Sequence, residues 1–296
     1  MLWQLNNLDK KGTKMQKRDL TRKICIVTGS GSGLGKAMAL GLADAGATVA
    51  AVDIDLNAAQ ETAQISNSNL IRPYQCDITD QLTVENTVNS IIADCNGLNV
   101  LINCAGLGMA WINKTYLTNR LNFWDTPPEK WQAVMDVNVR GAFLMAYASA
   151  SYFLEHNEGR VINVTTSLNT MIRGGNMPYG QSKAALEAAT ASWADDFSNA
   201  GSKVTANVLV PGGAADTPMV PHDSPYKREH LVRPEAMVAP AIFLASDESQ
   251  KINSMRFLGR LWDAHESDQR NIEVSGAPAA WPELAAAASL GQPKAK

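Results

Sequence analysis

The sequence predicts a single α/β domain built on a doubly wound parallel sheet with helices on both faces, and three observations carry that prediction. Short, almost wholly apolar runs alternate with longer amphipathic stretches along the chain, the pattern of strands buried on both faces by the helices between them. The first apolar run passes directly into a glycine-rich turn, TGSGSGLG (28–35), and then into a helical stretch. The length, 296 residues, suffices for one large core and is short for two complete domains.

The elements follow in order. KICIVTG (23–29) reads as the first strand, Gly33 to Ala45 as a helix, and ATVAAVD (47–53) as the second strand, followed by a helix to about Ser66. LIRPYQCD (70–77) is the third strand, and Asp80 is placed to cap a helix running to about Asp94. NVLINCAG (99–106) is the fourth. Glu129 to Leu154 supplies one or two helices, begun after Pro127 and Pro128. RVINVTT (160–166) is the fifth strand, Pro178 to about Asn199 a helix, KVTANVLVPG (203–212) the sixth strand, and Pro234 to Ala245 the last clear helix. This order is that of a Rossmann-type sheet. The organisation expected is an N-terminal extension over 1–21, one domain over 22–263 and a C-terminal tail over 264–296, loose from about Ala277. Met15 is an alternative start to Met1.

Composition excludes several classes. Hydrophobic content is 45%, charged content 19% and net charge −3, so no basic excess points to nucleic acid or an anionic membrane. The N-terminal stretch lacks the apolar segment of a signal peptide, and no run of membrane-spanning length occurs. Cys25, Cys76, Cys95 and Cys104 form no CxxC pair and have no histidine cluster beside them. They read as reduced thiols in a cytoplasmic protein, with no metal site.

The glycine turn is the first chemical signal. Between a strand and a helix start, glycines let the backbone approach a pyrophosphate, and free N–H groups of the helix N-terminus hold its charge. Asp53 ends the second strand, 18 residues past Gly35. A carboxylate there accepts hydrogen bonds from the ribose hydroxyls of NAD and repels a 2′-phosphate. Ile54 rather than a cation follows it, so NAD is favoured over NADP.

The turn is spaced TGxxxGxG, and later motifs keep company with it: Asp77–Ile78 after the third strand, Asn103-Cys104-Ala105-Gly106 after the fourth, Asn138 in DVNVRG, Tyr179 and Lys183 as YxxxK, and Pro211–Gly212 after the sixth. Over about residues 22–247 the sequence resembles the short-chain dehydrogenase/reductase family. The resemblance implies hydride transfer between a nicotinamide cofactor and a secondary alcohol or ketone. It implies cofactor contacts at Gly29, Ser32, Gly33, Leu34, Gly35, Asp53, Asp77, Ile78, Asn103, Ala105, Gly106, Tyr179, Lys183, Pro211 and Gly212, with Thr217 on the nicotinamide carboxamide. Tyr179 is the acid/base it implies. Lys183, one helical turn on, favours the phenolate and holds the nicotinamide ribose, and Asn138 holds a water that links the lysine to solvent. The hydroxyl that orients the substrate oxygen is Thr166 by spacing, thirteen residues before Tyr179, or Ser167 by residue type, with a slight preference for Ser167.

The resemblance further implies a homodimer or homotetramer, packed through the helices that contain Asn138 and Tyr179. Segments 106–130 and 213–233 are the expected substrate loops, the first rich in aromatics. Arg173 is a candidate for a substrate carboxylate, though a solvated arginine is the simpler reading. The usual paired glycines after the last strand are missing from INSMRFLGRLWD (252–263), which puts the last strand and the C-terminal contacts in doubt. Two other readings stand beside an NAD-dependent oxidoreductase: an NADP-dependent reductase of 3-oxoacyl or steroid-like carbonyls, and a catalytically silent NAD sensor.

Overall fold

A computed structural model describes residues 18–221 and 224–283. The choice between Met1 and Met15 lies outside them. Eight strands form one sheet in the order β3-β2-β1-β4-β5-β6-β7-β8. The strands are β1 (Ile24–Thr28), β2 (Thr48–Asp53), β3 (Ile71–Gln75), β4 (Val100–Asn103), β5 (Arg160–Val164), β6 (Thr205–Val210), β7 (Met255–Leu258) and β8 (Gly276–Pro278). The first seven pair in parallel, with Val27 level with Ala51 on one side and Ile102 on the other. Strand order reverses between β1 and β4, and this switch point opens a crevice at the carboxyl ends of the strands.

The helices are α1 (Gly33–Asp44), α2 (Leu56–Ile65), α3 (Gln81–Cys95), α4 (Met109–Ile112), α5 (Pro128–Met135), α6 (Ala142–His156), α7 (Leu168–Ile172), α8 (Tyr179–Asn199), α9 (Val238–Ala245) and α10 (Asp268–Ser275). One apolar cluster packs α1 and α9 against one face of the sheet, through Met38, Leu42, Phe243 and Leu244. A second packs α3, α6 and α8 against the other, through Val88, Ile91, Met145 and Phe153. Each such side chain removed from water contributes about 1.5–3 kcal/mol. Asp80 caps α3 as its sequence position predicts, its carboxylate accepting from Thr83 N at 2.7 Å, worth ~1 kcal/mol.

Polar links run through this core. Asn103 donates to Asn163 Oδ1 at 2.9 Å, and Asn163 donates to Thr190 Oγ1 at 2.8 Å, tying β4, β5 and α8. Glu187 of α8 is fully buried. It accepts from Arg256 Nε of β7 at 2.8 Å and from Thr165 Oγ1 at 2.9 Å, and Arg256 Nη2 also donates to the Thr166 carbonyl at 3.2 Å.

The C-terminal region differs from expectation. INSMRFLGRLWD does contain a last parallel strand, β7, held by β6 through Val208–Arg256 and Val210–Leu258. Beyond it, α10 returns the chain so that β8 pairs antiparallel with β7, and residues to 278 are part of the sheet, not a tail. Trp262 packs on Phe243 and Phe257, which anchors the turn that paired glycines do not supply. The N-terminal boundary also moves outward. Leu20 is buried, and Arg18 pairs with Asp268 of α10 and lies 5.1 Å from the centre of the Phe243 ring.

The Glu187–Arg256 pair gives a test of this core. Glu187→Leu or Arg256→Met alone leaves one buried charge unmatched and is expected to cost about 3–5 kcal/mol in urea unfolding. The double variant is expected to recover most of that loss. Additive costs would show that the two charges do not depend on each other.

Candidate active site

The crevice encloses a cavity of about 800 Å³ that runs from the end of β2, across the glycine turn, to Tyr179 and the substrate loops. Gly29 and Gly33 adopt left-handed backbone angles, φ +68° and +51°. A side chain on Gly35 would begin 2.2 Å from the Gly29 carbonyl oxygen, so only glycine lets α1 start this close to the turn. The first turn of α1 holds no acidic residue, and Ser32 makes no side-chain cap, which leaves N–H groups for an anion. Thr28 Oγ1 accepts from Cys104 N and Ala105 N at 3.0 and 3.1 Å and so joins the turn to the end of β4. Thr28 stands in the quoted turn, yet sequence reasoning gave it no role.

Asp53 Oδ2 accepts from Gly31 N at 2.8 Å, and Oδ1 accepts from Asp55 N at 3.0 Å. Its carboxylate thus stands against the glycine turn, with lone pairs left over. The acidic residues on the cavity wall are Asp53 and Asp77, and the cations are Lys183 and Arg173, on the Tyr179 side. Asp77 and Ile78 both line the wall, and Asp77 also accepts from Thr79 N and Oγ1.

At the other end, Tyr179 opens α8, with Lys183 one turn further on. Lys183 is 4% exposed and donates to the Val164 carbonyl at 2.9 Å. Among the described residues it has no carboxylate partner. Burial pulls its pKa down to about 8. Burial also pushes the Tyr179 phenol up to about 12, against a hydrogen bond from Thr166 that acts the other way. The lysine is not among the groups that shift Tyr179, and loss of water outweighs what remains. Cys104 is held up at about 12 by burial, so its thiol stays protonated at neutral pH.

Asn138 lies in a π-helical turn, Asp136–Gly141, between α5 and α6, a local widening that is frequent at functional sites. Its side chain clips Leu107: Oδ1 accepts from Leu107 N at 2.7 Å, and Nδ2 donates to Leu107 O at 3.0 Å and to Ser182 Oγ at 2.9 Å. Ser182 in turn donates to Tyr179 O at 2.8 Å. The amide is therefore engaged in placing the Leu107 segment and the first turn of α8. A side chain on Gly106 would begin 3.1 Å from Asn138 Oδ1 and 3.4 Å from Lys183 Nζ, so glycine keeps a small polar space between the two.

The two candidate hydroxyls separate. Ser167 caps α7, its Oγ 2.8 Å from Thr170 Oγ1 and accepting from Thr170 N. Thr166 and Tyr179 both line the cavity, and Thr166 acts on the Tyr179 phenol to lower its pKa. β5 has ended at Val164, so strand alternation does not govern these residues, and both line the cavity.

Most of the other predicted contacts line the cavity: Gly29, Ser32, Gly33, Leu34, Gly35, Ala105, Gly106, Pro211 and Thr217. Asn103 and Gly212 do not. Asn103 is turned into the core, and Gly212 forms a left-handed turn, φ +88°, under the Arg260 side chain. The substrate loops add Met109, Trp111, Tyr116, Met219 and Tyr226. Thr217 sits over Gly33, and Met219 sits over Gly108. Arg228 holds this segment down, donating to Asp216 Oδ1 at 2.8 Å and to the Thr217 and Val220 carbonyls at 3.3 and 2.7 Å. No described helix is long and apolar enough to cross a membrane, and no metal-ligating cluster occurs among the described residues.

Comparison with known proteins agrees with this layout. The family model for short chain dehydrogenase matches residues 23–227. The 3-oxoacyl-[acyl-carrier-protein] reductase FabG of Thermotoga maritima is 29% identical over 244 residues, covering 79% of this chain and 94% of that one. The 2-(R)-hydroxypropyl-CoM dehydrogenase of Xanthobacter autotrophicus is 29% identical over 245 residues, covering 78% and 94%. A crystal structure of 3-ketoacyl-(acyl-carrier-protein) reductase from Brucella melitensis complexed with NADH superposes with a TM-score of 0.70 at 26% identity, over 79% of this chain and 95% of that one.

The buried lysine leads to a stability test. Its pKa falls from 10.5 to about 8 on folding, so the unfolded chain binds its proton more tightly. The resulting penalty on the folded state is absent above pH 10.5, grows as pH falls to 8 and is constant below. It amounts to ~3 kcal/mol. The stability of Lys183→Met relative to the parent is therefore expected to rise by that amount between pH 10.5 and pH 7. Parallel curves for the two proteins would show that the lysine is not desolvated.

Proposed function

For a chain that belongs to the short-chain dehydrogenase family, and is thus an NAD(P)-dependent oxidoreductase, we propose transfer of a hydride between NAD(H) and a secondary alcohol or ketone. The observation that carries this reading is one cavity that Tyr179, Thr166 and buried Lys183 share with the glycine turn and Asp53.

The residues fit a dinucleotide. The open N–H groups of the glycine turn would receive the pyrophosphate, and Asp53 the adenosine ribose. A 2′-phosphate would meet the Asp53 carboxylate with no cation on that part of the wall, which favours NAD over NADP. Asp77, Ile78 and Ala105 would line the adenosine path, and Thr217, which packs against Gly33 on the same wall, would reach the nicotinamide carboxamide. The bound nicotinamide supplies or accepts the hydride.

The protein handles the proton and the geometry. Thr166 donates to the substrate oxygen and holds it beside the Tyr179 hydroxyl. Tyr179, a phenol throughout the neutral range in the ligand-free chain, gives its proton to the oxygen as a carbonyl is reduced and takes it back in the reverse direction. Lys183 stabilises the phenolate left behind, since an ammonium with no carboxylate of its own is free to answer a new negative charge at close range. Asn138 acts as a positioning residue through Leu107 and Ser182.

Tyr179→Phe is expected to lower turnover of a secondary alcohol with NAD at least a thousandfold while NADH still binds, read by cofactor fluorescence. Turnover equal to the parent's would remove Tyr179 from the mechanism. In the same assay at fixed salt, NADH is expected to bind at least tenfold more tightly than NADPH. The opposite order would mean that Asp53 does not face the ribose and would favour the NADP-dependent carbonyl reductase. Binding with no turnover of any alcohol or ketone would favour the silent sensor.

A further inference from the structure

Resting on that reading, we infer that the substrate carries an anionic group, a carboxylate, sulfonate or phosphate, and that Arg173 receives it. Arg173 lines the cavity on the Tyr179 side, and both acidic residues of the wall, Asp53 and Asp77, belong to the ends of β2 and β3. Among the described residues Arg173 enters no ion pair. A guanidinium with no acid to meet, on the wall of a ligand cavity, is a ready partner for a planar anion.

The guanidinium is also held in place. The Asn176 side-chain amide lies 3.2 and 3.1 Å from Arg173 Nη2 and Nε and, with its oxygen toward them, accepts from both. Asn176 is buried, and its carbonyl accepts from Gly180 N at 2.8 Å, in the first turn of α8. The arginine is thereby fixed to the helix that presents Tyr179. Arg173 is exposed, and this brace restricts it, which lowers the entropy lost on binding.

Tyr116 bridges the two positions. Its phenol is felt by Tyr179, and it feels the charge of Arg173. It is half-buried on the cavity wall, and its hydroxyl makes no hydrogen bond within the described residues. A substrate with its carbonyl at Thr166 and Tyr179 would pass Tyr116 on the way to Arg173. The surroundings have the same sign. Residues 106–130 and 168–178 contain Lys114, Arg120, Lys130 and Arg173 against Asp125 and Glu129, neither acid lines the cavity, and Arg120 packs against Gly175 beside the Arg173 turn. Across the cavity, Asp216 of the facing loop is already bound by Arg228, and Glu229 lies beside Lys227 and His230.

The test uses three methyl ketones, 3-oxobutanoate, 4-oxopentanoate and 5-oxohexanoate, each with its neutral amide. Reduction by NADH gives kcat/KM, and quenching of tryptophan fluorescence gives binding without turnover. For at least one chain length the carboxylate is expected to exceed its amide by ~10–100-fold in both readouts. Arg173→Gln is expected to bring that ratio near one, and Arg173→Lys to restore part of it. Equal carboxylates and amides at every length would overturn the inference, as would a preference that survives Arg173→Gln. Discrimination in binding that depends on Arg173, with no reduction of any ketone, would sustain the anion site and instead count against the proposed oxidoreduction.

Discussion

Lys183 carries a proton where water scarcely reaches it, and its neighbours either tolerate that charge or make use of it. The usual remedy would be a carboxylate one helical turn away, and Glu187 occupies that position, equally buried. The glutamate is taken by Arg256 and Thr165 instead. One helix thus buries opposite charges four residues apart and sends them to different partners. A lysine neutralised by Glu187 would have little left to offer a phenolate. Left with the Val164 carbonyl, its charge is available to whatever negative charge forms beside it. Gly106 keeps side chains away from it, and Asn138 pins the adjoining chain.

Much of this was legible in the residues. The alternation of apolar runs and helices, with the glycine turn, located six of the eight strands and the order of the motifs. It did so because fully buried parallel strands leave a strong signal and phosphate binding tolerates few backbone shapes. Asp80 could be read as a cap because a cap is a local feature. What escaped the sequence depends on distant packing. That Thr166 and Ser167 both reach the cavity depends on where β5 ends, a matter of pairing with β4 and β6 rather than of residue type. The high pKa of Tyr179 follows from burial that spacing cannot measure. β8 and α10 have weak local patterns, and they hold because Trp262, Arg18 and β7 receive them.

The two walls of the crevice are built differently. The glycine turn, Thr28 and the ends of β1 and β4 are fixed by backbone contact and by a buried hydroxyl. The facing loop is held mainly by Arg228, part-exposed, on Asp216 and two carbonyls. Charge pairs of that kind weaken as salt screens them, so ligand entry through this wall belongs among the salt-sensitive properties of the protein, while the cradle itself does not.

The short strand β8 bears on how the sheet meets other chains. An open parallel sheet ends in rows of free N–H and C=O groups that can recruit a foreign strand. Here β7 is covered by β8, which runs the opposite way, is three residues long and ends in Pro278. Proline offers no N–H, and three residues give an incoming chain little to register against. The far edge, β3, contains Pro73 and the exposed Arg72, so both margins of the sheet resist templated aggregation.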